Sequence, residues 1–139
     1  MSHPDGLPEL FLDRSLGRRK VPALLRAEGL RLVTLAEHYG IPADETVEDT
    51  DWLSLCGERG WLALMKDDRI RYVDTEKRAL VASGVRAAVI TNANLNADDM
   101  GQRILRAIDD LAVVCDARNG PFLFALHATR IEEIALDRS

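Results

Sequence analysis

Segments of β-strand pattern alternate with segments of helical pattern along almost the whole of this chain, and no other feature restricts its possible folds as sharply. Leu10-Phe11-Leu12 is a short apolar run ending at Asp13, the pattern of a fully buried strand. Residues 20–28 read as a helix, with Val21, Leu24 and Leu25 at helical spacing, Pro22 in the first turn and Gly29 just past the end. Residues 30–35 form a second strand pattern, followed by a polar loop containing Pro42. Asp49-Thr50-Asp51 opens a second helix whose buried stripe is Trp52, Leu53, Leu55 and Cys56, closed by Gly60. Residues 61–65 are a third strand, giving way to the charged turn Lys66-Asp67-Asp68-Arg69. A short helix over 74–80 and a fourth strand over 85–90 follow. Asn96 caps the longest helix, where Met100, Ile104, Leu105, Ile108, Leu111, Ala112 and Cys115 keep the helical period. Residues 122–126 are a fifth strand, and 130–134 are available as an edge strand by hairpin.

Strands that alternate with helices pair in parallel through right-handed crossovers, which leaves helices on both faces of one sheet. The expected fold is therefore α/β, a three-layer sandwich around a mainly parallel five-stranded sheet. It is expected to occupy residues 9–135, with a flexible tail over 1–8 and a short one over 136–139. A chain of 139 residues suffices for one domain with a sizeable core. No apolar run approaches the ~20 residues of a bilayer span, and the first residues lack a basic-then-apolar leader pattern, so a cytoplasmic protein is expected. Cys56 and Cys115 both fall on apolar helical faces and read as reduced core thiols. A net charge of −5 argues against non-specific coating of nucleic acid. The basic residues are nonetheless clustered: Arg14, Arg18, Arg19 and Lys20 in one group, Lys66, Arg69 and Arg71 in another, each beside an aspartate.

In an open parallel sheet, ligands bind beyond the carboxyl ends of the strands, near the point where strand order reverses. Strand one ends in Asp13, strand two near Glu37, strand three in Asp67 and Asp68, and strand four in Thr91, Asn92 and Asn94. Asp49 starts the helix feeding strand three, and its loop reaches the same rim. Two carboxylates about 5 Å apart repel by roughly 3 kcal/mol at an effective dielectric near 20. Such a group must take up protons, pair with basic residues or bind a cation. Hard oxygen donors with water suit Mg²⁺ or Mn²⁺, and such an ion beside a basic rim is equipped for phosphodiester chemistry. Each acid also has a plainer reading. An Asp after a strand is often a turn residue. Asp49 is a good N-cap, with Thr46 available for a capping pair. The Arg18-Arg19-Lys20 run could be a solvated helix start, and Trp52 and Trp61 read as core.

The stretches Phe11-Leu12-Asp13-Arg14-Ser15-Leu16-Gly17-Arg18-Arg19, Val33-Thr34-Leu35-Ala36-Glu37-His38-Tyr39-Gly40, Trp52-Leu53 with Gly60-Trp61, and Lys66-Asp67 through Arg69-Ile70-Arg71-Tyr72 together resemble the PIN-like toxins of VapC type. The resemblance covers about residues 9 to 134 in the right order. It implies a PIN-like sheet with an acidic pocket for Mg²⁺ or Mn²⁺, endoribonuclease activity on RNA, and a small antitoxin protein that occludes the pocket. A second copy of the chain is a further candidate partner. By position, Asp13, Asp49 and Asp67 match the catalytic and metal-holding acids. Glu37, Asp68 and Asn94 are candidates for a supporting shell, and Arg14, Arg18, Arg19, Lys66 and Arg69 for contacts to RNA phosphates. Two departures stand out: Met65 occupies a position where the family often has a hydroxyl, and Asn92 and Asn94 stand where many PIN proteins place a fourth carboxylate.

Other classes fit less well. A receiver domain needs an acidic pair after strand one and a Lys after strand five, whereas Arg14 follows Asp13 and the fifth strand runs to His127. A haloacid-dehalogenase-like phosphatase needs Asp-x-Asp, and Ser15 takes the second position. Nothing in the sequence brings His38 and His127 together for metal-independent cleavage. The main rival is the same fold, degenerate as a nuclease and kept for binding a protein partner or RNA.

Overall fold

The computed structural model describes residues 2–66, 74–91 and 94–136. Six strands form one sheet: β1 (Leu10–Leu12), β2 (Leu32–Thr34), β3 (Leu62–Lys66), β4 (Arg86–Ile90), β5 (Phe122–Leu126) and β6 (Ile131–Ile134). Helices α1 (Lys20–Ala27), α2 (Leu35–Tyr39), α3 (Asp49–Arg59), α4 (Asp74–Ser83) and α5 (Ala97–Ala117) connect them, with single 3-10 turns at Arg14–Leu16 and Ala43–Glu45. The strand order is β2-β1-β3-β4-β5-β6. The first five strands pair in parallel, in registers such as Leu12↔Leu64 and Lys66↔Ile90. The sheet thus has six strands rather than five. The connection from β5 to β6 is too short for a crossover, so β6 returns antiparallel, with Leu126 opposite Ile131.

The burial pattern follows from the pleat. Leu10 and Leu12 face one side, where α1 supplies Val21 and Leu25 and α5 supplies Met100, Ile104, Ile108 and Leu111. Phe11, Ala63, Met65 and Val89 face the other, against Leu35, Trp52, Leu53, Cys56 and Leu80. Strands covered on both faces read as continuous apolar runs, and β1, β3 and β5 do. Helix α3 lies close on α4: a Cβ at Gly57 would stand 2.1 Å from the Ser83 carbonyl oxygen, so only glycine permits that approach. Gly60 ends α3 in the left-handed conformation, its N–H donating to the Cys56 carbonyl. Of the stretch read as a tail, Leu7 is buried in the first cluster. His3 accepts from the Arg31 N–H through Nδ1, leaving Nε2 to donate to the Leu7 and Pro8 carbonyls.

The chain leaves β1 for β2 on one side and then crosses to β3 on the other. The order therefore reverses between β1 and β3, and a crevice opens beyond their carboxyl ends.

Candidate active site

Asp13 stands at that crevice, one residue past β1, its backbone N–H extending the pairing to the Leu64 carbonyl at 3.0 Å. The chain then turns sharply through Arg14–Leu16, and the turn brings Ser15 back onto Asp13. The Ser15 hydroxyl donates to Asp13 Oδ2 at 2.8 Å and the Ser15 N–H approaches the same oxygen at 3.3 Å. The same hydroxyl accepts the Lys66 backbone N–H at 2.9 Å. One side chain thus joins the end of β1 to the end of β3. Burial is the main influence on the Asp13 carboxyl and raises its pKa above the usual value; the Ser15 bonds pull it down, and the charge of Asp49 pushes it up again. Burial also pushes the Cys56 thiol up, with the Asp13 charge adding to the effect, so Cys56 stays a buried, protonated core residue.

Asp49 is the first residue of α3 rather than its cap; Glu48 takes the cap position. The Thr46 hydroxyl donates to the Ala43 carbonyl and takes no part in a capping pair. The Asp49 carboxylate turns instead to Trp52 one helical turn on, whose indole Nε1–H donates to Oδ1 at 3.0 Å. Trp52 is core, as its sequence suggests, and also holds an acid by its polar edge.

A model described as "PIN like domain" matches residues 8–92, and a Mycobacterium tuberculosis protein named "Putative ribonuclease VapC45" is 35% identical over 130 residues, covering 92% of each chain. The chain is a PIN-like protein of VapC type. No solved structure matches it significantly.

In this PIN-like chain Asp13 and Asp49 come from separate elements to within electrostatic reach of one another. Asp67, Asp68 and Arg69 lie outside the described residues, as does Asn92. Lys66, the residue before Asp67, is bonded through Ser15 to Asp13. Among the described residues no three His, Cys, Asp or Glu side chains cluster closely enough to hold a metal ion. Met65 faces the core beside Trp52, while Ser15 brings a hydroxyl to the acid. Asn94 is exposed in the turn leading to α5. Glu37 completes a capping box with Thr34 at the start of α2 and pairs with Arg26 at 2.7 Å. The Arg26 bond is the chief reason its pKa is lowered.

The basic rim divides. Arg14 donates to the Asp44 carbonyl at 2.8 Å, and Arg18 grips the Asp44 carboxylate with two bonds of 2.9 Å. Arg19 and Lys20 are exposed and form no ion pair among the described residues. All four basic residues, with Leu16 and Met100, line an open groove of about 440 Å³ beside the site. Ser15, Trp52 and Asp44 are the residues that sequence reasoning passed over. A signal existed for two: a Ser two residues after an Asp favours a local side-chain turn, and an i, i+3 spacing puts Trp52 over Asp49. Asp44 meets Arg18 across 26 residues and left no local trace.

Proposed function

We propose that this chain is a metal-dependent endoribonuclease, the toxin of a type II toxin–antitoxin pair, hydrolysing RNA phosphodiester bonds in the cytoplasm. One observation carries the reading. Asp13 is a mostly buried acid at the switch point with a raised pKa, next to a second acid and without an ion pair among the described residues. An acid so placed either holds a proton or meets a cation. The donor set fits Mg²⁺ or Mn²⁺, since Asp13, Asp49 and Asp67 would offer it hard carboxylate oxygens. When bound, such an ion supplies Lewis-acid stabilisation of charge developing on a phosphodiester.

The chain's own residues do the positioning. Ser15 keeps one Asp13 oxygen turned toward the end of β3, and Trp52 fixes Oδ1 of Asp49. Arg19, Lys66 and Arg69 are assigned to flanking RNA phosphates, joined by Lys20 along the groove. RNA as substrate is supported by the mycobacterial relative, named as a putative ribonuclease. A small antitoxin protein covering this rim is the proposed partner, with a second copy of the chain as another. Expression of the chain and of Asp13→Asn tests the proposal: growth arrest and RNA cleavage are expected from the first alone, and EDTA should stop cleavage by the purified protein. Full turnover in excess EDTA would overturn the metal requirement.

The second reading, a degenerate module that binds RNA or a protein partner, is favoured by Met65 lying in the core rather than offering a hydroxyl at the rim. Calorimetry with Mn²⁺ separates the two, because the module gives no heat at millimolar metal.

A further inference from the structure

We infer that Asp44 and Arg18 form a clamp that sets the separation of the Asp13 and Asp49 carboxylates, making both positioning residues of the proposed site, with Arg18 holding protein rather than RNA. The inference rests on the nuclease reading above for its purpose and on the following geometry for its existence.

Asp44 is 1% exposed, and among the described residues it is the charged side chain that is fully buried. It sits in the 3-10 turn Ala43–Glu45, in the connection from α2 to α3, and five residues later Asp49 opens α3. That connection contains no strand, so the sheet register does not place it. The bonds from Arg14 and Arg18 tie it to the turn after β1. Arg18 Nε donates to Asp44 Oδ2 and Arg18 Nη2 to Oδ1, each at 2.9 Å, while Arg14 Nη1 donates to the Asp44 carbonyl at 2.8 Å. Arg14 opens the turn that carries Ser15 and Arg18 follows it by two residues, and Ser15 holds Asp13. One turn therefore grips the carboxyl after β1 and, on its other side, the loop that delivers Asp49.

The chemistry of the pair explains why it can set a distance. A guanidinium meeting a carboxylate through two parallel bonds fixes direction as well as separation. A buried carboxylate holds its partner, because losing it would leave a charge unpaired away from water. Arg18 is 40% exposed, and its place in a run of basic residues suggests a phosphate ligand from sequence alone. Its Nε and one Nη are already engaged. Arg18 and Arg19 both line the groove, but Arg19 forms no ion pair among the described residues, whereas Arg18 is paired to Asp44. Adjacent arginines thus take different tasks.

The test uses the whole protein with Asp44→Asn, Arg18→Lys, Arg18→Gln and Arg19→Ala, and three readouts: amide hydrogen exchange over residues 42–50, Mn²⁺ affinity by calorimetry, and the salt dependence of single-stranded RNA binding. Asp44→Asn removes the charge with little change of shape, and Arg18→Lys keeps a charge but loses the fork. Both should speed exchange over 42–50 at least tenfold and weaken Mn²⁺ about tenfold, leaving the salt slope of RNA binding as in wild type. Arg19→Ala should do the opposite, reducing that slope by about one unit of contact with exchange and Mn²⁺ affinity unchanged. Wild-type exchange and Mn²⁺ affinity in Arg18→Lys, together with a reduced slope in Arg18→Gln, would overturn the clamp and return Arg18 to the RNA. Should Asp44→Asn fail to fold, the two Arg18 variants decide the matter, since half-exposed Arg18 tolerates replacement. A wild-type protein that neither binds Mn²⁺ nor cleaves RNA would sink the nuclease reading, while exchange over 42–50 would still judge the clamp.

Discussion

Two acids follow neighbouring parallel strands in this molecule and meet opposite fates. Glu37, three residues past β2, is about half exposed, bonded to the Thr34 N–H and paired with Arg26. Its charge is satisfied, its pKa is lowered mainly by Arg26, and its work is to start α2. Asp13, directly past β1, is mostly buried and faced by a second acid, and burial above all raises its pKa against the opposing pull of the Ser15 bonds. The contrast separates an acid that the fold uses from one that the fold leaves available. Position at a strand end is common to both; neutralisation tells them apart.

The largest expected effect would break the comparison outright. Asp13→Asn should lower RNA cleavage by about 100-fold or more with the fold retained, whereas Glu37→Gln should leave it within about threefold, because a group that touches the reacting centre costs far more than a remote one. Equal losses from the two, measured in steady-state cleavage assays, would erase the distinction. Trp52→Phe probes the next level. It keeps an aromatic ring in the core but deletes the donor on Asp49, and a misdirected carboxylate should slow cleavage roughly tenfold at a temperature where the variant, destabilised by its smaller ring, is still fully folded. Unchanged cleavage by the folded variant would make Trp52 a packing residue alone.

Thr34→Ala removes the hydroxyl that caps α2 and should cost about 1 kcal/mol, read by denaturant unfolding, without touching turnover. The smallest effect lies in pH dependence and has opposite signs at the two acids. The raised folded-state pKa of Asp13 means that the folded state binds the extra proton, so stability falls as pH rises from the ordinary carboxyl range through the raised value. In EDTA at neutral pH, Asp13→Asn should therefore melt above wild type, the gap closing in acid and on adding Mn²⁺ to wild type. Glu37 has a lowered pKa, so its contribution is present above the ordinary carboxyl range and is lost as pH falls through the lowered one. Glu37→Gln should melt slightly below wild type at neutral pH, a small change because an exposed ion pair contributes little. Shifts of the same sign would show that the two sites do not differ in kind.

Much of this was open to reading in one dimension. Runs such as Leu10-Phe11-Leu12 and Phe122 to Leu126 announce strands covered on both faces, and the stripe from Met100 to Cys115 announces α5, because burial periodicity is local. Asn96 caps α5 as its residue type suggests, its side chain accepting the Asp99 N–H. The same local logic misled at Asp49, where a helix-start acid looked like a cap although its carboxylate is turned to Trp52. At Arg14 and Arg18 a cluster of cations suggested phosphate ligands, although both reach Asp44. The partner was 26 residues away from Arg18, and nothing in either neighbourhood names the other.

By itself, then, the order of residues determined most of the strands and helices (the short helix Leu35–Tyr39, which reads as strand end and loop, is the exception), that an acid ends the first strand, and that the family is PIN-like. These follow from propensities, periodicity and motifs that act over a few positions. Which acids are left without a basic partner among the described residues, which arginines are engaged within the protein, and the grip of Ser15 on Asp13 and the end of β3 were decided only when the chain folded. Electrostatics depends on distance in space and on exclusion of water, and neither exists until β1 and β3 lie side by side.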